Sequence, residues 1–222
     1  MQIFAALLTP NIMVEFVCLV GALWLLRRDT DPAWRIHRWY LAVVVGVEFT
    51  GAFLHHQLGV SNHWLYNGFI LVEILFVSGF IFFLIRQVVV LHWCWLAVWL
   101  LFCYGHYSYE MLTTGITWYL HGTVNLLGIG MVAGCMYYFI IRLQHIADAE
   151  LRQSAGFWWA YGTFFFYSTG TIIALFFPWI ARPDQQLWGV PLAKLAQYAI
   201  NIITYSLWTY SYYLRYQRPT MT

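Results

Sequence analysis

The run Asn62-His63-Trp64-Leu65-Tyr66-Asn67-Gly68-Phe69-Ile70-Leu71-Val72-Glu73 decides how the chain is read. A polar, aromatic loop passes straight into an apolar segment that continues to Ile85-Arg86, with an amide near its mouth and a carboxyl deeper down. Crossing a bilayer as a helix takes about 20 apolar residues, and the segment 63–86 is long enough. A carboxyl facing hydrocarbon is costly, so Glu73 is expected to face protein, water or a ligand.

Composition extends this reading to the whole chain. It is 62% hydrophobic and only 9% charged, where a soluble domain carries about 25% charged residues. Thirteen Trp and sixteen Tyr are of the types that settle at membrane–water boundaries. A net charge of +2 without a basic run excludes nucleic acid as a partner. Cys18, Cys94, Cys103 and Cys135 lie in apolar segments without CxxC or CxxH spacing, as buried small hydrophobes do. Met1 to Pro10 has no Lys or Arg, and the first apolar segment ends in Arg27-Arg28, so it reads as a retained helix and not a cleaved leader.

Seven segments satisfy the length requirement: 10–27, 38–56, 63–86, 88–105, 116–142, 156–180 and 189–214. The expected fold class is therefore all-α, one polytopic transmembrane domain over 1–222 with the bilayer as first partner. Arg27, Arg28, Arg35, Arg38, Arg86, Arg142, Arg152, Arg215 and Arg218 fall at one set of segment ends, and only Arg182 and Lys194 at the other. That asymmetry puts the N-terminus outside and the C-terminus in the cytoplasm.

Polar residues inside the segments mark the candidate site. Glu15, Glu48 and Glu73 all fall in the outer half, with His55, His56, His121 and Lys194. Glu48, Gly51 and His55 stack on one face of the second helix. Tyr66 and Glu73 share a face of the third, with Asn67 beside Tyr66. His121 and Asn125 are four apart in the fifth helix. Lys194, Tyr198, Asn201, Tyr205 and Trp208 follow three- and four-residue steps along the seventh. The expected ligand-binding set is Glu48, His55, Tyr66, Asn67, Glu73, His121, Asn125, Lys194, Tyr198 and Asn201, with Glu48 and Glu73 as the buried acids. The fourth helix, Trp- and Leu-rich without an acid in 88–105, is expected to face lipid.

Several chemistries fit less well. Lys194 lies three residues after Pro191, too near a helix end for a retinal Schiff base. No HExxH or paired HxxxH motif supports a membrane zinc site, and no Ser-His-Asp order or phosphate loop appears; no metal or cofactor is expected. The prolines all sit at helix ends or in loops, which argues mildly against a transporter with broken helices.

The run Asn62-x-Trp64-Leu65-Tyr66-Asn67 followed by Glu73 resembles that of a group of uncharacterised seven-helix inner-membrane proteins of Bacteroidota. Phe157-Trp158, Tyr167-Ser168-Thr169-Gly170 and Asn201 are similar to that group's other marks. The resemblance covers nearly the whole chain and implies an orphan sensory or accessory membrane protein beside two-component signalling. No kinase, cyclase or regulator domain is attached, so signalling would need a membrane or cytoplasmic partner. The expectation is a receptor-like protein that binds a small ligand or lipid in an outer-half polar pocket, with enzymatic activity left open. A proton- or solute-translocating protein is the alternative, followed by an intramembrane lipid-modifying enzyme and a structural subunit of a membrane complex.

Overall fold

The structure is a computed structural model and describes residues 9–145, 148–180, 182, 185–187 and 189–218. The basic-free leader residues 1–8 and the loop prolines Pro183 and Pro219 lie outside them. The protein is all-α, 82% helical, with seven long helices. In chain order the elements are α1 (Pro10–Leu25), the single turn α2 (Pro32–Arg35), α3 (His37–Gln57), α4 (His63–Arg86), α5 (Trp93–Thr114), α6 (His121–His145), the short α7 (Asp148–Leu151), α8 (Ala155–Ile180) and α9 (Leu192–Gln217). A two-residue ribbon, β1 (Gln186–Leu187) and β2 (Val190–Pro191), pairs antiparallel before α9.

Local chemistry sets these bounds. Thr9 accepts the Ile12 amide and Pro10 opens α1; Asp31 accepts the Ala33 amide and Pro32 opens α2. His92 accepts from the Cys94 amide and starts α5, and Gly115, at φ +84, ends it. The fourth helix therefore runs 93–114 and not over the expected 88–105. Its C-terminal end is held by Glu110, which accepts from the amides of Gly122 (2.8 Å) and Thr123 (2.7 Å) and from the Thr123 hydroxyl (2.7 Å). One helix thereby caps the orphan donors that open the next. The fifth helix starts at His121 rather than 116, because residues 116–120 are a loop tied to Asn67 (below).

Packing closes six of the long helices into a ring. α9 packs against α8 and α1, α8 against α6, α6 against α4, α4 against α3, and α3 against α1. α5 stands outside this ring against α4 and α6, with Cys103 its one buried residue. Trp99 docks it: its indole donates to Ser78 at 2.9 Å, and a Cβ at Gly130 would lie 2.2 Å from its ring. Gly130 is a glycine because the indole occupies the space a side chain would fill.

The ring has two unlike halves. Call the end holding Gln57, His63 and Leu192 upper, and the end holding Leu25, Arg86 and Gln217 lower. The lower half is filled by Trp34, His37, Phe76, Phe80, Trp159 and Tyr212, all buried, with His37 edge-on to Phe80 at 4.2 Å. Below this core, Arg215 donates to Asp29 at 2.7 and 3.2 Å, both side chains 3% exposed. The upper half encloses a cavity. Large apolar side chains cover the outside, among them Trp39 at 73%, Leu101 at 72% and Leu175 at 75% exposure. Among the described residues two helical stretches, His63–Arg86 and His121–Gln144, are by length and composition apolar enough to cross a membrane.

Candidate functional site

A cavity of about 330 Å³ lies inside the ring, lined from α1, α3, α4, α6, α8, α9 and the loop before α6. It runs from His121, Ala174 and Gln197 at the top to Tyr40, Thr163 and Trp208 below. Eleven residues of α9 separate Gln197 from Trp208, a depth of roughly 16 Å at the helical rise.

Three carboxyl groups reach it from three helices: Glu15, Glu48 and Glu73. Glu48 Oε2 accepts from the Tyr66 hydroxyl at 3.2 Å, and Glu73 Oε1 from the Tyr167 hydroxyl at 2.7 Å. Both acids are half-buried rather than fully enclosed. Glu15 is 2% exposed, and its Oε2 has no hydrogen-bond partner. Asn201 Oδ1 and Thr204 Oγ1 are likewise buried without a partner and line the same cavity. Buried polar atoms in native proteins are nearly always paired. Three unpaired acceptors around one void therefore ask for water or a ligand.

Lys and Arg are missing from the lining residues; His121 at the top is the one basic side chain there. Among the described residues no three His, Cys, Asp or Glu side chains are grouped to hold a metal ion.

The sequence-derived set divides on this geometry. Glu48, Tyr66, Glu73, His121, Asn125 and Asn201 line the cavity. Four others do not. His55 is exposed in the last turn of α3 and packs on the His56 ring at 5.0 Å; seven residues above Glu48, it stands about 10 Å beyond it. Lys194 is exposed in the first turn of α9, and Tyr198 is half-buried outside the lining. Near that end of α9 it is Gln197 that lines the cavity instead.

Asn67 is fully buried but turned to the chain itself. Its Nδ2 donates to the carbonyls of Ile116 (3.2 Å) and Trp118 (2.8 Å), and its Oδ1 accepts from the Leu120 amide (3.2 Å). All its chemistry is spent fastening the α5–α6 loop, so it is a structural clamp.

The Asn62–Glu73 run thus cross-links the upper half. Asn62 donates to the Gly51 carbonyl at 3.1 Å, Tyr66 ties α4 to α3, Asn67 holds the loop, and Glu73 meets α8. Glu15, Tyr40, Thr204 and Tyr205 are lining residues absent from the expected set. Glu15 was visible in the sequence as a third acid in the outer half, but only ring closure of α1 on α3 and α9 brings it to the others. No family model matches the chain, and no curated protein or solved structure matches it.

Proposed function

We propose that this chain is a seven-span protein of a bacterial inner membrane, N-terminus outside, that takes a small polar ligand into the upper cavity and signals through a partner. The carrying observation is the cavity with three unpaired buried acceptors, Glu15 Oε2, Asn201 Oδ1 and Thr204 Oγ1. Its volume is at the small end of the ~300–1,000 Å³ of ligand pockets.

The membrane setting is supported by an inverted distribution of polarity. Acids, amides and hydroxyls line the inside, while Phe16, Val20, Val98, Leu101, Ile129, Leu175 and Ile202 project outward from five different helices. A contiguous apolar surface of that kind marks contact with lipid or protein. Nine of the eleven basic residues belong to the lower end, the cytoplasmic side by charge asymmetry. Kinship with the Bacteroidota group rests on the Asn62–Glu73 run and is part of the same proposal.

Binding is favoured over translocation because the aromatic core at Trp34, His37, Phe80, Trp159 and Tyr212 closes the ring below the cavity. The route of response is α9. It carries Asn201 and Thr204 at the cavity and Arg215 at the ion pair with Asp29, so a ligand that shifts α9 disturbs the lower-end contact. The test is native mass spectrometry of protein released from its own membranes, comparing wild type with the cavity-filling Asn201→Leu. A small molecule retained by the first and lost from the second is expected. Identical spectra, with both proteins folded, would sink the reading.

A further inference from the structure

We infer that the ligand is a protonated amine, an organic cation carrying N–H donors; the inference rests on the cavity reading above and names its ligand class. The buried lining atoms without a partner, Glu15 Oε2, Asn201 Oδ1 and Thr204 Oγ1, can each accept a hydrogen bond. An ionised carboxyl offers about four lone-pair sites. Glu48 uses one on Tyr66 and Glu73 uses one on Tyr167, while Glu15 Oε2 accepts nothing. The Asn201 Oδ1 carbonyl accepts only and the Thr204 hydroxyl can accept or donate; both are unpaired, three residues apart on one face of α9. No Lys or Arg lines the cavity, so the donors available there are neutral amide, hydroxyl and indole groups and the His121 imidazole.

Charge points the same way. With no Lys or Arg among the lining residues, any of the three carboxyls that ionises needs a positive guest, and an ammonium brings both the charge and up to three donors. The walls suit such a guest. Tyr40, Tyr205 and Trp208 line the lower part of the cavity, and aromatic faces attract ammonium groups. A metal chelate is disfavoured because the ligating side chains of the described residues are not grouped for one. A quaternary ammonium would satisfy the charge but leave the three acceptors unpaired, so a primary amine is preferred.

The test uses the full chain in lipid nanodiscs and four probes of one shape: benzylammonium, benzyltrimethylammonium, benzyl alcohol and benzoate, followed by equilibrium dialysis. Benzylammonium is expected to bind at one site about tenfold or more tighter than each of the others, the scale of one charge-assisted hydrogen bond. Glu15→Gln and, independently, the isosteric Thr204→Val each weaken it, and Asn201→Leu abolishes it. If any of the other three probes binds as tightly as benzylammonium, and Asn201→Leu removes that binding, the amine assignment is wrong and the cavity reading stands. If both Glu15→Gln and Thr204→Val leave benzylammonium binding unchanged, the assignment is also wrong. If no probe binds at ~10 mM, or Asn201→Leu changes nothing, both fall together.

Discussion

Replacing Asn67 tests the distinction between a clamp and a ligand contact most directly. The side chain is fully buried and makes three hydrogen bonds to the α5–α6 loop, to Ile116 O, Trp118 O and Leu120 N. Each contributes about 1 kcal/mol net, and stranding the buried Leu120 amide adds roughly another 1. Asn67→Leu is therefore expected to cost about 3–4 kcal/mol, and Asn67→Ala slightly more because it also leaves a void. Against a total of roughly 5–15 kcal/mol that is a large loss. The assay is unfolding in bicelles by titrated denaturing detergent, paired with hydrogen exchange at the Leu120 amide, which should lose protection first. Ligand affinity at the cavity should be unchanged in the folded fraction of Asn67→Leu. Variants within about 0.5 kcal/mol of wild type, or a folded variant that has lost ligand binding, would refute the clamp.

Other expectations follow from the same accounting. Arg215→Met leaves Asp29 buried with the Asp31 amide bond but no counter-charge and should cost about 3–5 kcal/mol, much of it recovered in Arg215→Met/Asp29→Asn; a double-mutant cycle with no coupling would be fatal to the ion pair's assigned role. Gly130→Ala drives a Cβ into the Trp99 ring and should cost about 1–3 kcal/mol, loosening α5 first, read by protease sensitivity of the loops flanking it. Near the C-terminal end of α5, burial disfavours the Glu110 carboxylate, but bonds from Thr123 Oγ1 and the Gly122 and Thr123 amides, with His106 at 3.9 Å, outweigh this and hold its pKa below the ordinary 4.5. Its stabilisation is thus complete above the unfolded value and lost as pH falls through the lower folded one. Glu110→Gln should remove that loss from the acid limb of a stability-against-pH profile below about pH 4.5.

How far the sequence could be read depended on the range of the interaction. The segment 63–86 was legible to the residue, because its apolar run is bounded in the sequence by Asn62-His63 and Arg86-Gln87. The segment 88–105 was misplaced at both ends. Its start is set by a His92 side chain, and its end by a glycine that follows ten helical residues of mixed polarity. The Glu48–Tyr66 and Glu73–Tyr167 contacts pair residues 18 and 94 positions apart, and no spacing rule reaches those.

By itself, the sequence determined an all-helical chain of seven long apolar segments, with polar residues confined to particular faces. Helical period and apolar run length are local properties and survive without knowledge of neighbours. Which polar residues meet was decided by the tertiary structure alone. Closing α1 against α3 and α9 brought Glu15 to the cavity, and the docking of α5 outside the ring turned Asn67 toward its loop. The height at which the ring opens left His55 and Lys194 outside. Those outcomes depend on helix order around the ring and on vertical offset between helices, which arise from packing between distant parts of the chain.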